Sequence, residues 1–166
     1  TQICYFMKPN YIYALFVLFL LVSCQKASTE FTAKDGSYTL TLPPLWEEYD
    51  DGDELTDAFY NARNWTGNFR VTKLKNENSV DIKEYINKEL QEVQGARLVK
   101  IGEYECAHSQ TMTHDNGEEL NAFFWSFGKG KDIFICSFTT DHQDRDNRKV
   151  MGEVEGIIKS LKINTN

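Results

Sequence analysis

The sequence predicts an α+β domain, a mainly antiparallel sheet of about six or seven strands flanked by helices on both faces. Three observations predict it. Two stretches carry apolar residues at helical spacing. Several short runs rich in aromatic and β-branched residues are bounded by turn dipeptides. Two of those runs, "AFFWSF" and "IFIC", are apolar at both parities, which marks strands covered on both faces rather than one.

Taken in order, "SYTLTLP" alternates Tyr38, Leu40 and Leu42 with threonines and reads as a half-buried strand, broken by Pro43-Pro44 and followed by Trp46. "DAFYNARNW" and "NFRVTKLK" flank Thr66-Gly67 and form a hairpin. From Ser79 to Gln94 the residues Ile82, Ile86, Leu90 and Val93 fall on one helical stripe, with Asn78 or Ser79 as the cap and Gly95 as the stop. Residues 104 to 140 read as a three-stranded meander: "YECAHSQTMTH", a turn at Asp115-Asn116-Gly117, "ELNAFFWSF", a turn at Gly128-Lys129-Gly130, and "DIFICSFTT". A second helix runs from about Asp144 to Leu161. Its inner face is Val150, Val154, Ile157, Ile158 and Leu161, and Gly152 and Gly156 point away from it.

Ahead of the domain, an apolar run from Tyr11 to Val22 stops at "VSCQKAS". A bilayer core needs about twenty apolar residues, so a run of twelve is too short to span it. Behind Met7-Lys8 the run reads as the hydrophobic part of a secretory signal. Leu21-Val22-Ser23-Cys24 resembles the lipobox of bacterial lipoproteins at all four positions. That resemblance implies cleavage before Cys24 and lipid on its thiol, with several acyl chains giving firm attachment to a membrane. The expected organisation is therefore residues 1–6 as a start-site artefact, 7–23 as signal peptide, 24–30 as tether and 31–166 as one domain. Gln25 is not the aspartate that holds such proteins at the inner membrane, so the expected address is the outer membrane, facing the periplasm.

The chain carries 18 basic and 25 acidic residues, a net charge of −7, and removal of a leader whose one charged residue is Lys8 lowers it by one. That balance excludes nucleic acid as a partner and adhesion to anionic lipid by charge. Of four cysteines, Cys4 lies in the leader and Cys24 is taken by lipid, which leaves Cys106 and Cys136. In a meander, the first and third strands lie about 9 to 10 Å apart. A disulfide needs Cα atoms within about 7 Å, so the pair stays reduced unless the strand order differs.

The element order, with "DGSYTLTLPPLW" at the start and "IIKSLKI" at the end, resembles the PsbP-like fold of photosystem extrinsic proteins, a eukaryotic nuclear-transport factor and many small bacterial lipoproteins. The resemblance covers nearly the whole domain and implies a non-enzymatic binding or assembly role, with a protein as partner. It carries over no contact residues.

Two stretches could hold chemistry. Cys106, His108, Gln110, Met112 and His114 share one face of a strand and form a set of soft metal ligands. Spacing limits it, because His114 lies about 20 Å from His108 along a strand, and His142 is the remaining histidine. "EEYDDGDELTD", Glu47 to Asp57, is densely acidic. It does not fit a calcium loop, because with Gly52 at the sixth position Tyr49 falls at a ligand position and Ala58 where a bidentate glutamate belongs. It reads instead as a solvated loop or a face for a basic partner. There is no G-x-S-x-G elbow, and Cys136 in an apolar run reads as a core thiol. The expected function is a lipid-anchored envelope protein, a non-enzymatic binding or assembly module of immunity or chaperone type, with no catalytic residues, no metal site and no cofactor. The alternative is a metal-handling protein or enzyme using the Cys106/His108 strand.

Overall fold

A computed structural model of the protein describes residues 27–115, 117–141 and 147–164. Among these described residues ten strands and two helices follow one another as β1 (Thr29–Thr32), β2 (Tyr38–Leu42), β3 (Trp46–Tyr49), β4 (Thr56–Asn61), β5 (Asn68–Lys73), α1 (Ile82–Glu92), β6 (Arg97–Ile101), β7 (Tyr104–Asp115), β8 (Glu118–Lys129), β9 (Asp132–Asp141), α2 (Arg148–Ser160) and β10 (Lys162–Ile163). Seven strands form one antiparallel sheet in the order β3-β4-β5-β9-β8-β7-β6, and three form a small second sheet in the order β1-β2-β10. The α+β class and the seven-stranded antiparallel sheet agree with the sequence pattern.

The double-parity runs explain the layering. In β8 and β9, Phe123, Trp125, Phe127, Phe134, Cys136 and Phe138 belong to the main apolar cluster, together with Val154, Ile157 and Ile158 of α2 and Leu40 and Leu42 of the small sheet. Ala107 and Ile133 belong to a separate cluster with Ile82 and Ile86 of α1. Since Ala107 follows Cys106, and Ile133 precedes Phe134, the two clusters lie on opposite sides of those strands. We call the first side inner and the second outer.

Several elements differ from expectation. β1 pairs with β2 from Thr29↔Leu42 onwards, so the first described strand takes in Thr29 and Glu30, the last two residues of the stretch 24–30 expected as a tether. Trp46 to Tyr49 form an edge strand paired with β4, although an acidic loop was expected from Glu47; Trp46 is buried, its indole N–H donating to Glu153 on α2 at 3.0 Å. β6, unassigned from sequence, adds a fourth strand to the meander. Asp81, not Asn78 or Ser79, caps α1 by accepting from the Lys83 N–H, because Ser79 sits at φ 51 in the turn before it. α2 starts at Arg148 with Asn147 as its cap, and the expected 144–146 lie outside the described residues.

The chain passes from the small sheet to the large one through Pro43-Pro44, where the Trp46 N–H donates to the Pro43 carbonyl at 3.2 Å and Leu45 takes φ 74. β10 is held by Tyr104, whose hydroxyl donates to the Leu161 carbonyl at 3.1 Å and accepts from the Ile163 N–H at 3.3 Å.

Glycines in two settings give a paired prediction. Gly67 has φ 137, and a Cβ there would run into the Thr139 carbonyl and the Phe138 ring; around Gly152 and Gly156 on α2 there is open space. Gly67→Ala should destabilise the domain by about 2 kcal/mol or more. Gly152→Ala and Gly156→Ala should each stabilise it by about 1 kcal/mol. Urea denaturation midpoints read both, and equal signs at the two settings would refute the account.

Candidate binding surface

The outer side of the sheet is covered by α1 alone among the described helices, an eleven-residue element laid across β7 and β8. Its start is pinned. The Ile82 N–H donates to the Gly130 carbonyl in the β8–β9 turn at 2.8 Å, and the Asn76 side-chain amide donates to the Val80 and Lys131 carbonyls, each at 2.7 Å. Of the expected apolar stripe, Ile82 and Ile86 are buried and Leu90 is half-buried. Val93 is the C-cap residue and faces a groove instead.

That groove, of about 820 Å³, opens at the C-terminal end of α1. Register builds its floor: Phe124 lies between Ser109 of β7 and Ser137 of β9, and Ile135 lies between Ser126 of β8 and Thr72 of β5. Small neighbours leave Phe124 and Ile135 half-buried rather than covered. Glu89, Val93 and Gln94 form the wall, and residues 109–112 form the rim. A second cleft of about 650 Å³ lies along the N-terminal half of α1, lined by Leu74, Asn76, Tyr85, Lys88 and Ile133. Burial, with Glu89 beside it, pushes the Tyr85 hydroxyl up to about 12. Both clefts are lined by apolar and neutral polar side chains with a few charges at the edges, a lining that suits an extended peptide or a side-chain anchor more than a small charged ligand. None of these groove residues stood out in the sequence as functional; their trace there was the second parity of "AFFWSF" and "IFIC".

The structure does not assemble the soft-ligand strand into a site. Cys106 is fully buried in the main cluster, and burial pushes its thiol up to about 12. His108 is half-buried, with Nδ1 2.9 Å from the Phe124 carbonyl and its ring stacked on Trp125 at 4.9 Å; burial lowers its pKa. Gln110 donates to Asn121 at 3.4 Å, Met112 is 49% exposed, and His114 stands by Glu119 with 3.6 Å between nitrogen and oxygen. Among the described residues, no three His, Cys, Asp or Glu side chains are placed to hold a metal. His142 lies outside them. Among the described residues the strand therefore brings no ligand set together: Cys106 lies in the core and His114 lies at the far, exposed end, as its spacing predicts. Cys106 and Cys136 are both free and buried, with β8 between their strands.

The acidic stretch is also used internally. Asp50, Asp51 and Asp53 accept from the N–H groups of Gly52, Asp53 and Leu55, Asp51 pairs with Arg70 at 2.9 Å, and Asp57 accepts from the buried Tyr38 hydroxyl. These are local turn-making bonds and ion pairs. The hydrogen bonds to the Leu55 N–H and the Thr56 hydroxyl hold Asp53 below the usual carboxylate range.

Comparison with known proteins places this geometry. The family model described as a domain of unknown function (DUF3805) matches residues 26–166. Among solved structures, a protein from Bacteroides thetaiotaomicron is 31% identical with a TM-score of 0.72 over 84% of this chain and 50% of that one, so this chain spans about half its length. The protein Mog1 is 9% identical, with a TM-score of 0.52 over 82% of this chain and 95% of its own. LpqN of Mycobacterium tuberculosis, described as involved in cell envelope biogenesis, is 10% identical, with a TM-score of 0.51 over 83% and 91%. The last two likenesses are of fold alone, a mostly antiparallel α+β fold. No curated protein sequence matches this chain.

Two measurements check the site description. Cys106 and Cys136 should resist a thiol reagent in the native protein and react on unfolding; fast native labelling of either would contradict their burial. His108 titrates lower folded than unfolded, so below about pH 6.5 the unfolded chain binds the extra proton first and stability falls with falling pH. His108→Gln should flatten the stability profile between about pH 6.5 and pH 5, above the carboxylate range. An unchanged slope there would remove His108 as its cause.

Proposed function

We propose that this chain, which belongs to the DUF3805 family, is a lipid-anchored protein of the bacterial cell envelope that acts as a non-enzymatic binding module. The groove beside α1 engages an extended segment of a protein partner. The observation that carries the reading is the groove itself: about 820 Å³, open, floored by half-buried Phe124 and Ile135, and walled by the end of a short helix. Such a floor offers apolar area for an anchoring side chain, and the small polar residues around it offer hydrogen bonds. Among the described residues, the thiols of Cys106 and Cys136 are buried, and no three His, Cys, Asp or Glu side chains are placed to hold a metal.

Attachment rests on Leu21-Val22-Ser23-Cys24 and on the position of the first strand. The four residues lie outside the described part of the structure, but β1 begins at Thr29, five positions after Cys24. Fully extended, that spacing reaches about 17 Å, so lipid on Cys24 would hold the small sheet close to the membrane surface. No described helix is long and apolar enough to cross a membrane. The outer-membrane address rests on Gln25 standing where an aspartate would hold the protein at the inner membrane, and the periplasm-facing orientation on Glu30 being the one acidic residue near Cys24. The likeness to LpqN, one of fold at 10% identity, is compatible with an envelope setting.

Lipidation and binding are separable by experiment. Cys24→Ser should abolish palmitate labelling and release the protein from membranes; continued labelling would overturn the anchor. Capture of the lipidated protein from its own envelope should enrich a partner that Glu89→Arg with Gln94→Arg reduces at least tenfold. If nothing enriches reproducibly, or the double variant captures equally well, the groove is not the binding surface.

A further inference from the structure

β7 is twelve residues long and its neighbour β6 is five. Pairing between them runs from Ile101↔Tyr104 to Arg97↔His108 and stops. Beyond that point residues 109–115 pair with β8 on one side, and no described strand pairs with them on the other. Such an edge presents a row of unpaired backbone donors and acceptors, which proteins usually guard with lysine, proline, a bulge or a cover. The segment "SQTMTHD" has no lysine and no proline, and Gln110 through Asp115 are exposed. The two ends of the same sheet are guarded: β3 carries Glu47 and Glu48, and β6 carries exposed Arg97 and Lys100.

We infer that residues 109–115 pair with the same residues of a second copy of this chain, antiparallel across a two-fold axis, joining two sheets into one. The inference goes beyond the partner-binding groove and does not depend on it. Its ground is the self-complementarity of the segment. In an isologous antiparallel pair, one residue lies opposite itself and its neighbours exchange partners symmetrically. Arg97 already occupies the place beside His108, so the open edge begins at Ser109. The register that uses the whole segment centres on Met112. Ser109 then meets Asp115 of the second copy, a hydroxyl donor against a carboxylate. Gln110 meets His114, Thr111 meets Thr113, and Met112 meets Met112. No like charges stand opposite one another, and threonine pairs and apolar pairs are among the favourable cross-strand combinations. At each end Asp115 of the second copy arrives next to Arg97, opposite charges in line. Met112, 49% exposed and one of four large apolar side chains left exposed among the described residues, becomes the centre of the contact. A single strand pair about 24 Å long buries much less than the roughly 1,600 Å² of a standard interface, so the association is expected to be weak in dilute solution and favoured where copies share a membrane surface.

The test is a cysteine scan of the full-length chain in membranes under mild oxidation, read on non-reducing gels. The unsubstituted chain gives the baseline for its own thiols. Gln110→Cys, Met112→Cys and His114→Cys all change exposed positions on one face of β7. Across the proposed axis, Met112 faces its own copy at about 5 Å between Cα atoms, inside disulfide range, whereas positions 110 and 114 lie about 14 Å from theirs. Met112→Cys should therefore give a dimer band at least tenfold above the other two and above baseline. Equal bands at all three positions, no band at 112, or an adduct of another mass would each overturn the pairing. Loss of partner capture in the groove variant leaves this scan unchanged, so the two readings fail separately.

Discussion

Four phenylalanines stand in register across four strands of the large sheet: Phe59 of β4 opposite Phe69 of β5, Phe69 opposite Phe138 of β9, and Phe138 opposite Phe123 of β8. All are buried, with ring centroids 6.2 Å apart at Phe59–Phe69 and 6.4 Å at Phe123–Phe138. Moving any of these strands by one residue turns its phenylalanine to the outer side, and each loses about 2 kcal/mol of burial. The row therefore sets the register for its neighbours. The next row, Val71, Cys136 and Trp125, follows without freedom, and α2 and the small sheet pack against the surface that the rows make. Cys136 is a small side chain between Val71 and Trp125, so its burial is a packing choice and not a chemical one.

The phenylalanine rows were legible because they are long-range consequences of a short-range pattern. "AFFWSF" and "IFIC" are apolar at both parities, and two covered sides are a direct way to satisfy that. The hairpin at Thr66-Gly67 and both turns of the meander were legible from their glycines, as were the buried positions of α2 from their spacing. What was not legible lies at edges. β3 begins with a buried tryptophan but continues Glu47-Glu48, because an edge strand with solvent on one side tolerates acids that a central strand would reject. β6, "RLVKI", has no clean alternation, since Arg97 and Leu98 are both exposed. β10 pairs through two residues and has no pattern to read; Tyr104, distant in sequence, holds it in place.

The site was less legible than the fold, for a reason that a single strand displays. Parity along β7 is visible in sequence, but depth is not. Cys106, His108, Gln110 and Met112 lie on one face and pass from fully buried to half exposed within seven residues. A ligand set that looks uniform as text is graded in space: one end is a core thiol, the middle is an imidazole stacked on Trp125, and the far end faces solvent. Metal binding needs convergent donors at equal depth, so the gradient defeats it. Binding to a surface does not need that convergence. The groove residues went unnoticed for the complementary reason, since Phe124 and Ile135 resemble core in sequence and become a floor because α1 ends before reaching them.

A common shortfall of length produces both open features. α1 stops at Glu92 and β6 stops opposite His108, so the last seven residues of β7 run on past both and have a described strand, β8, on one side only. If the region were merely unfinished core, the exposed side chains would be the apolar ones that a longer helix or strand would cover. They are instead serine, glutamine, threonine, histidine and aspartate, with one methionine, mostly polar residues that retain hydrogen-bonding capacity for another chain. The phenylalanine row reaches only the level of Gln110, which pairs with Phe123; at the next inward level, Asn121–Thr140 beside Met112, the positions are already polar. The buried side chains are thus concentrated at the closed end of the sheet, and the open end extends from it as a strand already paired with β8 and free on its other side. That pairing matters because a preformed strand loses less conformational entropy on adding a partner, which favours a contact of modest area over one made by an unpaired loop of the same composition.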